Sequence, residues 1–182
     1  MIPASHNPKE YNGYKVYGED GAQLAPEAAA EVLKEINKLD YFSIPCADME
    51  QAISQGMISL AGKEVDEAYL AAILPLADME IINKQSDKLK LIYTPLHGSG
   101  LSSVQSMFNA LGFKNIELVP EQCIPDGSFP TVITPNPENA EALQMGIKLA
   151  KETGAELVIG TDPDCDRMGA AVKNEKGEFI PL

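Results

Sequence analysis

The strongest constraint on the fold is a short apolar run followed directly by alternating carboxylates. Residues 157–160 (LVIG) are apolar throughout, which is typical of a strand buried on both faces of a parallel sheet. Asp162, Asp164 and Asp166 come next, and Arg167 follows them. Because ligands of such sheets gather at the carboxyl ends of the strands, this order predicts a binding site at the end of a buried strand.

The residues from 90 onward alternate between strand and helix signals. Helices are predicted between the strands, one ended by Gly112 and one running from about Glu138 to Gly154. This succession predicts an α/β fold with a mainly parallel sheet and flanking helices. The predicted strands cover residues 91–94, 116–119, 157–160 and 168–172, and the last turns through 174–177 into 179–180.

The N-terminal segment offers too few elements to bury a core alone. Residues 14–17 (YKVY) predict a short strand, and Pro26 suits the first turn of a helix with an apolar face. We therefore expect an incomplete α/β domain over residues 1–40 and a second domain over 41–182. Within the second, residues 41–88 are expected to form a linker plus one helix, whose last turn Pro75 disturbs.

Charge and composition exclude several classes of partner and site. Fourteen basic and 27 acidic residues give a formal net charge of −13, so neither nucleic acid nor an anionic membrane is expected as a partner. No apolar run reaches the roughly 18 residues that span a membrane, and no leader segment is recognised at the start. Cys46, Cys123 and Cys165 are odd in number and widely spaced, which argues against disulfides or zinc and favours the cytoplasm.

The three aspartates predict a cation site. Carboxylates placed so closely repel one another, so a positive charge is expected among them, and oxygen ligands suit Mg²⁺, Mn²⁺ or Ca²⁺ better than zinc. An EF-hand loop is excluded because Arg167 and Lys173 stand where it needs Gly and Glu. An aspartyl-phosphate phosphatase would have Thr or Val at position 166, where this chain has Asp166. A solvated acidic turn is the simplest alternative.

Four further residues have both an ordinary and a chemical interpretation. Ser5 and His6 suit a turn, but they also suit a nucleophile with a hydrogen-bonding neighbour. Lys15 is a surface lysine unless it is partly desolvated, and Arg167 can form a salt bridge or bind a phosphate in a bidentate manner. Residues 97–100 (HGSG) favour a tight turn into a helix over a dinucleotide loop, because position 103 is Ser.

Three of these motifs occur together in a known order. Residues 4–8 (ASHNP) with 12–15 (NGYK) resemble the phosphoserine loop of the α-D-phosphohexomutase superfamily, which includes phosphoglucomutases and phosphomannomutases. Residues 162–167 (DPDCDR) resemble its metal-binding loop, and 94–98 (TPLHG) resemble its second-domain signature. Residues 15–23 (KVYGEDGAQ) are similar to the branch with phosphoglucomutase and phosphopentomutase activities. The resemblance runs from end to end.

The resemblance implies a role for each candidate residue. Ser5 would carry the phosphate, and Mg²⁺ would be held by Asp162, Asp164, Asp166 and a phosphoserine oxygen. Lys15 would be the general acid/base. The substrate would be a hexose or pentose phosphate, whose 1-phosphate and 6-phosphate (or 5-phosphate) forms interconvert through a bisphosphate. His6 and Arg167 would steady the phosphoserine.

Two departures from the family pattern carry expectations of their own. Pro3 stands where the family usually has Thr or Ser, which would alter the approach to Ser5. The family has four domains, and this chain corresponds to the end of the first and the whole of the second. A fragment that is inactive alone is therefore expected, with homodimerisation through the truncated domain as an option. A non-catalytic isolated domain and a metal-dependent phosphatase remain the alternatives.

Overall fold

The computed structural model describes residues 5–11 and 13–182, which divide into two compact units. One unit contains Gly13–Val65, and the other contains residues 5–11 and Asp66–Leu182. The expected effect of Pro3 falls outside the described residues. None of the helices in the described part of the chain is long and apolar enough to cross a membrane. The helices are α1 Pro26–Ile36, α2 Met49–Ser54, α3 Lys63–Ile73, α4 Met79–Gln85, α5 Gly100–Ala110 and α6 Gln144–Thr153.

The larger unit is built on a five-stranded sheet in the order β2-β1-β3-β4-β5. The central strand β3 is parallel to β1, which is parallel to β2, whereas β4 and β5 continue the sheet in antiparallel pairing. This arrangement confirms the predicted α/β fold, with the parallel strands on one side of the sheet. The strands are β1 Leu91–Thr94, β2 Ile116–Leu118, β3 Leu157–Thr161, β4 Met168–Lys173 and β5 Phe179–Pro181.

Side chains alternate between the two faces of the sheet and create two apolar clusters. On one face, Ile92 and Val158 pack with Ile147 of α6. On the opposite face, Leu91 and Tyr93 pack with Phe108 of α5. Partly buried apolar side chains from α5 and from the residues around it complete this cluster. Both faces of the parallel strands are therefore covered, which explains why β1 is buried along its whole length.

Helix α6 begins later than the sequence pattern indicates. The prediction of a helix from Glu138 is wrong, because residues 138–143 form successive turns. The side chain of Asn136 accepts a hydrogen bond from the Glu138 N–H, and its carbonyl accepts one from Asn139. These local bonds compete with a helical turn. The predicted end is confirmed, since Gly154 follows the helix with φ +79°, a conformation that glycine adopts without strain.

The smaller unit differs from its predicted strand and helix. The predicted strand over residues 14–17 is wrong: the pairing found there is an isolated bridge between Tyr17 and Gln23. Hydrogen bonds from Gly18 to Ala22 and from Leu24 to Val16 close a narrow turn instead of a ladder. Helix α1 begins at Pro26 as predicted, and none of its residues is buried.

The segment between residues 41 and 88 contains more helix than the expected linker and single helix. Asp48 and Asp78 are the N-cap residues of α2 and α4, and their carboxylates accept hydrogen bonds from N–H groups of the first turn. Helix α3 ends at Ile73, and Leu74–Leu76 form a short 3-10 turn around Pro75. The predicted disturbance by Pro75 is confirmed, because proline cannot donate the next helical hydrogen bond.

The packing of α6 on the sheet gives a test of the fold. A Cβ atom added to Gly146 would lie 2.7 Å from Cγ1 of Val158, so we expect Gly146→Ala to destabilise the protein by about 1–3 kcal/mol. Alanine would otherwise stabilise a helix by about 1 kcal/mol relative to glycine. Urea unfolding measures the difference, and the exposed Lys148→Ala on the same helix is the control. A more stable Gly146→Ala variant would contradict this packing.

Candidate functional site

The loops that follow the parallel strands meet at one edge of the sheet. Strands β1 and β3 run parallel with Thr94 opposite Gly160, so the turn at 95–99 and the loop at 162–167 leave the sheet side by side. The loop at 162–167 connects β3 to the antiparallel β4. The predicted position of the three aspartates at the carboxyl end of a buried strand is therefore confirmed.

Asp162 is the buried anchor of this loop. It is fully inaccessible to solvent, and its Oδ1 accepts hydrogen bonds from the N–H of Asp166 at 3.1 Å and of Arg167 at 2.9 Å. Its carbonyl also accepts a bond from the Cys165 N–H at 3.0 Å. The carboxylate thus closes the loop on itself, while its other oxygen, Oδ2, has no hydrogen-bond partner among the described residues.

Asp164 and Asp166 complete a cluster of carboxylate oxygens. One oxygen from each of Asp162, Asp164 and Asp166 lies within 4.8 Å of the others. Within the described part of the chain, Asp164 Oδ1 is also buried without a hydrogen-bond partner. Burying acceptors without partners costs free energy, and a hard cation bound between them would remove that cost. The donor set therefore fits Mg²⁺ or a similar oxygen-binding cation.

The electrostatics of Asp162 agree with such a site. Burial is the main cause that raises the pKa of its carboxyl to about 7; the neighbouring Asp164 and Asp166 act in the same direction, and the hydrogen bond from the Arg167 N–H acts against them. The charged form is unfavourable because the loop brings negative charge together in a dry place. A bound cation would reverse this, since an opposite charge within a few ångströms favours the carboxylate.

His6 lies against this cluster and brings the segment of Ser5 with it. Its Nδ1 is 3.9 Å from Oδ2 of Asp162, too long for a hydrogen bond but close enough for attraction when the ring is protonated. The ring is partly covered, with 27% of the side chain exposed. Ser5 precedes it, and its Oγ accepts a hydrogen bond from the Asn7 N–H at 3.2 Å. Serine, histidine and the aspartate loop thus belong to the same unit.

Arg167 pairs with a residue that sequence reasoning missed as a site residue. Its Nη1 lies 3.0 Å from Oε1 of Glu138, and both side chains are partly exposed. A Cβ atom on Gly169 would lie 2.0 Å from the carbonyl oxygen of Pro137, so residues 137–138 lie directly on the start of β4. The glycine in the predicted strand was the available signal, because an interior strand glycine often marks a close backbone approach.

The turn at 97–100 serves close packing. A Cβ on Gly98 would lie 2.3 Å from Cα of Pro163, and one on Gly100 would lie 2.8 Å from Sγ of Cys165. Both glycines therefore let the turn press against the aspartate loop. The pKa of the Cys165 thiol is raised, chiefly by burial and also by the three carboxylates.

Lys15 belongs to the smaller unit. It is half-buried and lines a cavity of about 230 Å³ together with Val16, Leu24, Val32 and other residues of that unit. Its acid/base role stays a prediction.

The chain matches two family descriptions over most of its length. Residues 67–177 match "Phosphoglucomutase/phosphomannomutase, alpha/beta/alpha domain II", and residues 1–42 match domain I of the same family. A phosphoglucomutase of Staphylococcus epidermidis is 42% identical over 98% of this chain and 32% of its own length. A phosphoglucomutase of Staphylococcus aureus is 38% identical over the same shares. The chain spans about a third of the length of these relatives.

Solved structures agree with the fold. A putative phosphomannomutase from Thermus thermophilus matches 98% of this chain and 37% of its own, with a TM-score of 0.69 at 22% identity. A phosphoglucomutase/phosphomannomutase family protein from Burkholderia thailandensis matches 98% of this chain and 34% of its own, with a TM-score of 0.58 at 26% identity. Motifs, fold and relatives agree, and the chain belongs to the phosphoglucomutase/phosphomannomutase family.

Proposed function

We propose that this chain supplies the phosphoserine and metal-binding part of a sugar-phosphate mutase. The observation that carries the proposal is a pair of buried oxygens, Asp162 Oδ2 and Asp164 Oδ1, that have no hydrogen-bond partner within residues 5–11 and 13–182 and lie beside the segment of Ser5 and His6. Family membership supports the reaction class, since the relatives are named phosphoglucomutase. Substrate, product and the activity of the whole protein are part of this proposal.

Each residue of the loop has a task that follows from its environment. Asp162, Asp164 and Asp166 would hold Mg²⁺, together with an oxygen of phosphorylated Ser5. When bound, the cation would neutralise charge on the transferred phosphoryl group. Asp162 also fixes the loop through the N–H groups of residues 166 and 167, which preorganises the other carboxylates.

The proposed reaction consists of two successive phosphoryl transfers that share Ser5 Oγ. The bond between phosphorus and Ser5 Oγ breaks as a bond to a hydroxyl oxygen of a sugar monophosphate forms, which gives a sugar bisphosphate and free serine. As the proposed general acid/base, Lys15 would take the hydroxyl proton while the departing Ser5 Oγ gains one from solvent, and the second transfer would run both proton movements in reverse. The other phosphate of the bisphosphate then passes to Ser5 Oγ, so that the product is the isomeric monophosphate. Arg167 and His6 steady the phosphoryl oxygens through donated hydrogen bonds.

Metal binding tests the site directly. We expect the purified chain to bind Mg²⁺ or Mn²⁺ saturably in calorimetry and electron paramagnetic resonance, and Asp164→Asn to weaken binding at least tenfold because an anionic ligand is lost. The exposed Asp66→Asn makes the same charge change in the same unit and is the matched control. Equal affinities for the two variants would remove the aspartate loop from the proposal.

The raised pKa of Asp162 predicts a pH dependence of the metal-free protein. A carboxyl with a pKa of about 7 in the folded state and about 4 in the unfolded state stays protonated up to a higher pH when the protein is folded. The contribution of Asp162 to the free energy of unfolding is therefore fully present below about pH 4 and is lost as the pH rises through about 7. We expect Asp162→Asn to remove this loss, which amounts to about 1.4 kcal/mol per pKa unit at most.

Chemical denaturation at pH 5 and pH 8, in the presence of a chelator, measures this difference. Asparagine retains an oxygen that can accept the N–H groups of residues 166 and 167, so the loop can keep its closure. A stability gap between the variant and the parent that does not grow with pH would show that Asp162 titrates normally.

Phosphorylation of Ser5 separates a mutase from a phosphatase. After incubation with a hexose 1,6-bisphosphate and Mg²⁺, we expect a mass increase of about 80 Da, one phosphoryl group, located on Ser5. The increase should be absent in Ser5→Ala and present in Ser102→Ala, an exposed serine of α5. A phosphate that is labile to hydroxylamine and is lost in Asp162→Asn would indicate an aspartyl-phosphate phosphatase instead.

A further inference from the structure

We propose that Ser99 is a positioning residue for the aspartate loop: it holds the Pro163 carbonyl and thereby sets the direction of Asp164. Ser99 donates two hydrogen bonds to this one oxygen, from its N–H at 2.9 Å and from its Oγ at 3.0 Å. The role in metal binding rests on the proposed function, whereas the ordering of the loop does not.

The Ser99 side chain does not cap the helix that it precedes. It occupies the N-cap position of α5, where a serine side chain usually accepts an N–H of the first helical turn. Here the side chain makes no such cap hydrogen bond and turns its hydroxyl to Pro163 instead. The hydroxyl therefore contributes to the aspartate loop and leaves the first turn of α5 without a side-chain cap.

The Pro163 carbonyl is the point at which the loop retains freedom. The pyrrolidine ring fixes φ of Pro163, and the peptide bond to Asp164 is planar, so rotation about ψ of Pro163 remains. Two hydrogen bonds to the carbonyl oxygen fix that rotation. The plane of this peptide contains the nitrogen of Asp164, whose Oδ1 is buried without a partner among the described residues. By fixing the orientation of this peptide plane, Ser99 sets the direction in which the Asp164 side chain projects from the backbone.

Ser99 itself stands on a rigid support. His97 is 5% exposed, its N–H donates to the Gln122 carbonyl at 2.8 Å, and its Nδ1 lies 2.8 Å from the Ile124 carbonyl. Because a carbonyl only accepts, Nδ1 carries the proton in this arrangement. The Thr131 hydroxyl then donates to Nε2 at 2.8 Å and accepts from the Gln122 amide at 3.1 Å. Every polar group of this network is paired.

Close contact with Gly98 restricts the Pro163 backbone further. Gly98 lies so close to Pro163 that a Cβ would be 2.6 Å from the carbonyl oxygen and 2.3 Å from Cα. The Pro163 backbone is therefore held from one side by van der Waals contact and through its oxygen by Ser99. A metal site whose ligands must converge within a few tenths of an ångström depends on such support.

The test compares three serine variants of the full 182-residue chain. Ser99→Ala removes the hydroxyl donor, Ser99→Thr keeps it, and Ser103→Ala is a matched control on the exposed side of α5. Ser99 is exposed, so alanine and threonine both fit without burying new surface. Two quantities are measured: the Kd for Mn²⁺ by electron paramagnetic resonance, and hydrogen exchange of the amides of residues 164–166 in metal-free protein.

We expect Ser99→Ala to weaken Mn²⁺ binding about tenfold, the scale found for groups that orient metal ligands, and to accelerate amide exchange at 164–166. Ser99→Thr should restore both quantities, and Ser103→Ala should change neither. A merely structural serine would lower the melting temperature without a selective change at the loop.

Two results would overturn the inference. The first is exchange and Mn²⁺ affinity of Ser99→Ala equal to those of Ser103→Ala, and the second is a threonine variant that fails to restore them. A parent chain that binds no Mn²⁺ would instead overturn the proposed metal site and the metal part of this inference. In that event the exchange data alone decide whether Ser99 orders the loop.

Discussion

The hydrogen bonds that the Asp162 carboxylate accepts from the backbone of its own loop hold the candidate site together. Two N–H groups, those of residues 166 and 167, donate to one carboxylate oxygen, and their peptide dipoles stabilise the buried charge. The other oxygen, which has no partner among the described residues, is available to a cation. The loop begins at the end of β3, the central strand, and its base is therefore anchored in the sheet core. The positions of Asp164, Asp166 and Arg167 all depend on this closure.

Small residues allow the neighbouring segments to reach that loop. Gly98 and Gly169 each lie within van der Waals contact of a proline backbone, Pro163 and Pro137 respectively, and a Cβ at either place would overlap it. Proline supplies a fixed φ, and glycine supplies the space against it. The site is thus assembled from stiff loops in close contact, and short-range packing between backbones compensates for the absence of regular structure there.

The parts of the fold that were predictable are those set by local pattern. Apolar runs indicated β1 and β3, and Gly112 and Gly154 marked helix ends, because each signal depends on a few adjacent residues. The side chain of Asn136 accepts a hydrogen bond from a nearby backbone N–H, and α6 begins after these turns. The spacing of apolar residues does not reveal such a local hydrogen bond. The aspartate cluster was predictable from spacing, whereas Glu138 and Ser99 depend on contacts across 29 and 64 residues of sequence.

The choice of partners around the aspartates keeps the cluster available to a cation. A lysine or arginine directed at Asp162 and Asp164 would neutralise them and compete with a metal, yet the loop is held by a neutral hydroxyl and by N–H groups. The guanidinium of Arg167 is adjacent in sequence but is paired with Glu138. Since Coulomb attraction grows as the local dielectric falls, even one misplaced positive side chain would weaken cation binding strongly. A neutral donor such as Ser99 therefore supports the loop without adding a positive charge beside the carboxylates.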